Sequence, residues 1–558
     1  MLKRVSWNRM VVRAVALMFA IPGVDVRAQT TPEDRSSAFG AGHKISGTIV
    51  NALDGAPLGQ ARVSLIDTKN RTQAVSMVTS ESGHFEFRGL PAGKFALEGA
   101  KRGFLEAGYQ QHEQFSTAIV TGAGFNTENL VLRLTPFALL SGRVVDEAGD
   151  PVRNARVTLF VENHRGGLDR IFPAGFSATD DQGTYEFAAI EPGNYYVSVT
   201  AKPWYAVYPY STSADGVGNL PPTVDRSLDV AYPATFYNGA TDSDGATPVP
   251  VHGGDHATAD IHLNPVPALH LLIRAPNEGQ RGFAMPVFQK RVFDSPQFVQ
   301  NEGANQVAPG VYEMVGIPAG TYSVTSRMAS SGQLLPGSEI NLTKDGQEWE
   351  TSPGEPSGTL KVTAKMARGE PIPKEFNLAL RNGRKQFVAF KPLENGEVTF
   401  EDVPPGKYAL LVNSPETPYT VARMKIQGVE SAGHDVNVIA GASMELSVSL
   451  VAGIVRVEGF AKRGGKPMPG VMVALVPKDP ESHSERFRRD QSDMDGSFTL
   501  GGILPGSYTL IAVEDAWDFP WMQKGALERY LQHGQNLTIG ELMNGAVHLP
   551  DPVEVQPR

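Results

Sequence analysis

The sequence predicts an all-β protein: a tandem array of about five small Greek-key β-sandwich domains following a signal peptide. Three observations carry this. One phrase, glycine–strand–proline turn–strand, recurs five times. Glycine and proline, 58 and 41 of 558 residues, cluster at turns rather than in low-complexity tracts. Cysteine is absent, so each unit must be held by its apolar core alone.

The copies of the phrase are Gly83–Leu97, Gly183–Val197, Gly310–Val324, Gly396–Leu410 and Gly496–Leu510. In each, two glycines lie ten residues apart and an aromatic follows the second by two: Phe95, Tyr195, Tyr322, Tyr408 and Tyr508. After the first glycine, apolar residues alternate with polar ones, as in His84-Phe85-Glu86-Phe87, the signature of a strand with one buried face. Acidic or polar residues before that glycine mark a tight turn, because glycine accepts positive φ and Asp accepts local amides. Proline then fixes φ for a second turn and ends ladder pairing. A buried tyrosine past this corner, its hydroxyl tied back to the backbone, would pin it.

A second phrase lies upstream. Ile45-Ser46-Gly47-Thr48-Ile49-Val50 leads to Gly55-Ala56-Pro57-Leu58 and the strand Ala61–Leu65. Leu140–Asp146 leads likewise to Gly149-Asp150-Pro151 and Ala155–Leu159, and Val457–Ala461 to Gly465-Lys466-Pro467 and Gly470–Leu475. The fourth copy is looser (Gly358–Val362, then Gly369-Glu370-Pro371), and the third offers only the bare strand Leu269–Ile273. The two phrases together resemble the carboxypeptidase regulatory-like domain, a transthyretin-like sandwich related to the B-type repeats of collagen-binding adhesins. The resemblance covers most of the mature chain and implies no activity of its own. Similar domains accompany outer-membrane transporters and secreted peptidases.

Domain limits follow from the repeats and from Pro-rich punctuation: a signal peptide over 1–28, a polar tail over 29–42, then sandwiches over 43–135, 136–265, 266–353, 354–450 and 451–558. At about 90–100 residues each, such units are large enough to fold alone. The linkers are short, so neighbours should touch and the array should form a semi-rigid rod. At the N-terminus, Lys3, Arg4, Arg9 and Arg13 precede the apolar run Ala14–Ile21, and Val26-Arg27-Ala28 offers a cleavage site. We therefore expect export, to a secreted, periplasmic or outer-envelope location, and no membrane span once the signal is removed.

A net charge of −10, with no basic stripe interleaved with aromatics, argues against nucleic acid. The mixed cluster Glu481–Asp490 reads as a solvated loop. His252, His256 and His262 lack a supporting zinc motif, and Asp242-Ser243-Asp244-Gly245 and Asp493-Met494-Asp495-Gly496 lack the twelfth-position glutamate of a calcium loop. No cofactor, metal site or catalytic residue is expected, and the chain is read as non-enzymatic.

The candidate ligand-binding residues are aromatic. Trp204, Tyr205, Tyr208, Tyr210, Tyr232, Phe236 and Tyr237 lie in an insertion, Lys202–Val251, of the second domain. Trp517, Phe519 and Trp521 lie in a loop of the fifth, where Met522–Leu531 has helical spacing. Exposed rings stack on the C–H faces of sugars; equally, aromatic side chains glue loops and domains together through their large buried area. The sequence thus predicts a binding or spacer module at the bacterial cell envelope, with a glycan or an envelope protein as candidate partner. The alternatives are a carbohydrate-binding protein using these loops, or an accessory subunit of a transporter or peptidase.

Overall fold

The computed structural model describes residues 42–558 apart from short internal stretches, of which 210–224 and 275–286 are the longest. The signal segment and Tyr210 lie outside the described residues. The strands fall into five successive groups with one shared plan.

In every group the first strand lies inside a sheet. It pairs antiparallel with the strand after the first repeat glycine and parallel with the last strand of its group. In the first group, His43–Asn51 pairs with His84–Leu90 and with Leu130–Leu134. In the fourth, Gly358–Met366 pairs with Glu397–Val403 and, over eight rungs, with Ser443–Ala452. The third group, a bare strand to sequence reading, follows the same plan: Leu269–Arg274 pairs with Val311–Ile317 and Gln347–Glu350. The strand after the proline turn belongs to the other sheet. Gly93–Ala100 pairs with Arg62–Asp67, and Gly406–Asn413 with Asn377–Asn382. The repeated phrase is therefore an arch carrying the chain from one layer to the other, and the alternating apolar residues fill the space between. Ile45, Val63, Phe85 and Leu97 are fully buried in the first such core, each contributing roughly 1.5–3 kcal/mol.

Two features of the phrase explain its repetition. The first glycine holds a left-handed backbone (Gly83 at φ +72°, Gly183 at φ +73°), and a Cβ there would lie 2.5 Å from a carbonyl oxygen of the first strand. Only glycine permits that approach. At the corner, each tyrosine donates its hydroxyl to the carbonyl four residues back. The bonds are Tyr195 to Glu191 (2.7 Å), Tyr322 to Pro318 (2.6 Å), Tyr408 to Pro404 (2.9 Å) and Tyr508 to Leu504 (2.6 Å). The first domain has Phe95 instead, and there the Thr121 hydroxyl donates to the equivalent carbonyl, that of Pro91, at 2.7 Å.

The fifth group departs from the plan. Its last strand, Val553–Gln556, pairs with both Val455–Arg463 and Gly506–Val513, joining the two layers into one nine-stranded sheet. The expected helix over 522–531 is reduced to Glu528–Leu531, because Pro520 and a left-handed Gly525 (φ +81°) hold the preceding residues in turns.

The expected rod is not what forms. The fifth domain folds back onto the first: the Lys94 ammonium lies 2.8 Å from the Asp493 carboxylate, and the Ala118 amide donates to Asp493 at 3.0 Å. Gln491 donates to the Gln110 carbonyl (2.7 Å) and to Thr117 (2.8 Å). The fifth domain also meets the second, where the Met522 amide donates to the Gly167 carbonyl at 2.8 Å, and the fourth, where Gly453 donates to the Pro418 carbonyl at 2.7 Å. The charged run thought to be solvated supplies this contact. Arg488–Gln491 is a strand, and Arg489 is buried against Glu113 with side-chain exposures of 6% and 9%.

Candidate functional site

The aromatic residues separate into three environments. Trp517 and Trp521 are consumed by domain contacts. The Trp517 indole stacks on His112 of the first domain (centroids 5.1 Å apart, planes 6° apart) and donates its Nε1 hydrogen to the Gly470 carbonyl at 3.2 Å. Trp521 packs on Phe487 and under the Arg489 guanidinium, 4.5 Å from the ring centroid. It also covers Gly167 of the second domain so closely that a Cβ there would come within 2.4 Å of the indole. Burial leaves neither tryptophan a broad face to offer a sugar.

In the second-domain insertion, Tyr232, Phe236 and Tyr237 turn inward. Tyr232 and Tyr237 pack on the sandwich core, and Phe236 is 1% exposed. Tyr205 and Tyr232 converge on one carboxylate that sequence reading passed over. Both hydroxyls donate to Glu147, that of Tyr232 at 2.8 Å. Burial and the Glu147 hydrogen bond push the Tyr205 phenol up to about 12. The two donated bonds hold the Glu147 carboxyl below its ordinary range against the cost of desolvation. Among the described rings of the insertion only Trp204 projects outward, 86% exposed and edge-on to Tyr205 with centroids 5.7 Å apart. Tyr208 carries the insertion across to the third domain. Its ring lies over Gly316, whose left-handed conformation (φ +75°) and missing Cβ leave room for it; a Cβ would meet the ring at 2.8 Å.

That crossing is one part of a built junction between the second and third domains. At a hairpin tip, Phe293 adopts a left-handed backbone (φ 50°) and thrusts its ring among Phe160, Tyr196 and Phe236, with centroids 5.2, 4.8 and 5.7 Å away. Beside it, the Ile171 amide donates to the Asp294 carboxylate at 3.1 Å. On the opposite flank His270 is 8% exposed and clamped between two carboxylates: Nδ1 lies 2.9 Å from Glu313 and Nε2 3.0 Å from Asp229 of the second domain. The hydrogen bond to Glu313 raises the His270 pKa, whereas burial raises that of Asp229.

The remaining candidates are held apart. His252 bonds Asp255, and Asp242 pairs with Lys290 at 3.0 Å. No group of three His, Asp or Glu side chains placed to hold a metal occurs among the described residues. No helix among them is long and apolar enough to cross a membrane.

The repeated plan and its pinned corners define a tandem prealbumin-like β-sandwich protein. Residues 44–132 and 140–224 match the family model of the carboxypeptidase regulatory-like domain, so the first two sandwiches are domains of that family. The fifth, whose phrases are as complete, lies outside the matched residues. No curated protein matches the chain. Among solved structures the chain is similar to the Bacillus anthracis TIE protein (12% identity, 73% of each chain covered, TM-score 0.17). It is also similar to a Streptococcal ancillary pilin (14% identity, 52% of this chain and 100% of that one, TM-score 0.20). A third is the major pilin subunit of Bacillus cereus (10% identity, 73% of this chain and 99% of that one, TM-score 0.14).

Proposed function

We propose that the chain is an exported, non-catalytic scaffold of the bacterial cell envelope that presents loops from a closed set of sandwich domains. The observation that carries this reading is the return of the fifth domain onto the first and second, which commits Trp517, Trp521 and Arg489 to assembly. Such an arrangement gives a stiff platform whose loops, fixed by the sandwiches beneath, are suited to recognition. The basic N-terminus and apolar run supply the route out of the cytoplasm.

Expression of the full chain with a C-terminal tag, followed by fractionation and N-terminal sequencing, tests the placement. We expect a mature start at Gln29 in the envelope or the medium; an uncleaved cytosolic protein would refute it. A pull-down from envelope extracts tests for a protein partner, and recovery of nothing specific counts against one.

Carbohydrate binding on the exposed rings of the second-domain insertion is a second reading, favoured by the exposure of Trp204 above Tyr205. Titration of glycans against the wild-type chain and a Trp204→Ala, Tyr205→Ala variant decides it. Equal binding by both, or none, removes this reading.

A further inference from the structure

The outer face of the second domain's sheet changes character along its length. Cross-strand register sets three rungs on that face: Phe160 beside Tyr196, Thr158 beside Ser198, and Arg156 beside Thr200. The first rung is apolar and is capped by Phe293 of the third domain. The other two are polar. Over them the two domains enclose a cavity of about 590 Å³, within the range of small-molecule sites, roughly 300–1,000 Å³. Domain junctions are common places for such sites.

The wall of this cavity is charge-segregated. The chain carries 60 acidic and 50 basic residues, yet among the described residues the lining includes Arg156, Lys202 and Lys290 and no Asp or Glu. Arg156 is held with its guanidinium 4.5 Å from the Phe176 ring centroid, and the Lys202 ammonium lies 4.8 Å from that of Tyr208. Lys290 reaches across the junction to Asp242 at 3.0 Å, a carboxylate that offsets its charge. A cleft of one sign with protein walls concentrates the potential and draws counter-charge. Hydroxyls of Thr158, Ser198 and Thr200 line the floor, and the Tyr208 ring forms a wall.

We propose that this cleft binds an anionic saccharide, a sugar bearing a carboxylate or phosphate. Its acid group meets Arg156 and Lys202, its hydroxyls meet the Thr/Ser rungs, and one face packs on Tyr208. The inference rests on the binding-module reading but fails separately from it, since an exported envelope scaffold can stand with an empty cleft.

Isothermal titration of the full chain tests it, with an oligogalacturonate, glucose 1-phosphate, an uncharged maltooligosaccharide and inorganic phosphate as probes. We expect one of the two charged sugars to bind at least tenfold more tightly than the uncharged one, and more weakly as salt is raised. Preference for the uronate assigns a carboxylated ligand, and preference for the sugar phosphate a phosphorylated one. The Arg156→Gln, Lys202→Gln variant should bind at least tenfold more weakly at an unchanged melting temperature, because both side chains are exposed. Trp204→Ala should bind as wild type. The proposal is overturned if neither charged sugar binds, if the double variant binds undiminished, if Trp204→Ala abolishes binding, or if inorganic phosphate binds as tightly as the sugars.

Discussion

Arg489 grips both carboxylate oxygens of Glu113, at 3.2 and 2.8 Å, across 376 positions of sequence. The pair is almost wholly withdrawn from water, and the Trp521 and Phe115 rings lie 4.5 and 5.7 Å from the guanidinium. A buried pair of this kind is hard to break from one side. Removing one partner strands the other charge in a poorly solvating environment, whereas replacing both with apolar groups of similar volume is often neutral.

Glu113→Leu should therefore weaken the contact between the first and fifth domains by about 3–5 kcal/mol. Glu113→Leu combined with Arg489→Met should restore most of the loss. Small-angle scattering should register a larger radius of gyration for the single variant only. Identical scattering and identical denaturation midpoints for all three proteins would contradict this closure.

The corner hydroxyls offer a test internal to the fold. Tyr408→Phe and Tyr508→Phe each remove a bond to a backbone carbonyl and should cost about 1 kcal/mol. Thr121→Val should cost a similar amount in the first domain, since Thr121 serves the carbonyl that Phe95 cannot. Denaturant titration gives the comparison, and a Thr121→Val protein as stable as wild type would deny threonine this role.

His270 makes the junction of the second and third domains sensitive to pH. Its raised pKa means that its contribution is complete below the ordinary histidine value, about 6.5, and is lost as pH climbs through the higher folded value. The raised pKa of Asp229 acts in the same direction. The stability difference between wild type and His270→Gln should shrink between pH 6 and pH 9, scanned roughly one pH unit at a time around that histidine value. A difference constant across that interval would show that His270 does not titrate in the junction.

Asp490 presents a similar sign from a carboxylate. Burial pushes its pKa up to about 6, against hydrogen bonds from backbone amides including that of Thr499 at 2.7 Å. Its ionisation thus opposes folding above that pH. An Asn side chain can still accept from Thr499, so Asp490→Asn should stabilise the protein by up to about 3 kcal/mol at pH 8 and by little at pH 4. Thermal melts at the two values decide it; equal melting temperatures of variant and wild type at pH 8 would refute the assignment.

What the sequence disclosed was what is coded locally. The corner phrase spans fifteen residues, and its glycine, proline and tyrosine each answer to a constraint within one arch, so the tyrosine bonds were foreseeable from spacing alone. The third domain was harder to see because its strands pair without the opening glycine turn of the others. The docking of Arg489 on Glu113 leaves no local trace: a mixed-sign run looks solvated until a distant partner covers it. Aromatic content does not separate roles. Trp204 and Trp521 are alike as letters, and only tertiary placement puts one in water and the other under a guanidinium. Glu147 and Phe293 had no signal beyond being single polar or apolar residues near a turn.

The parallel neighbours at the two ends of each sandwich carry a mechanical consequence. Where Gly358–Met366 lies beside Ser443–Ala452 running the same way, the polypeptide arrives at one pole and departs from the other. Traction on the ends then loads that whole ladder in shear, so its bonds must fail together instead of unzipping singly. For the fourth domain in isolation, single-molecule extension should show one abrupt high-force rupture; gradual peeling at low force would mean the ladder does not carry the strain.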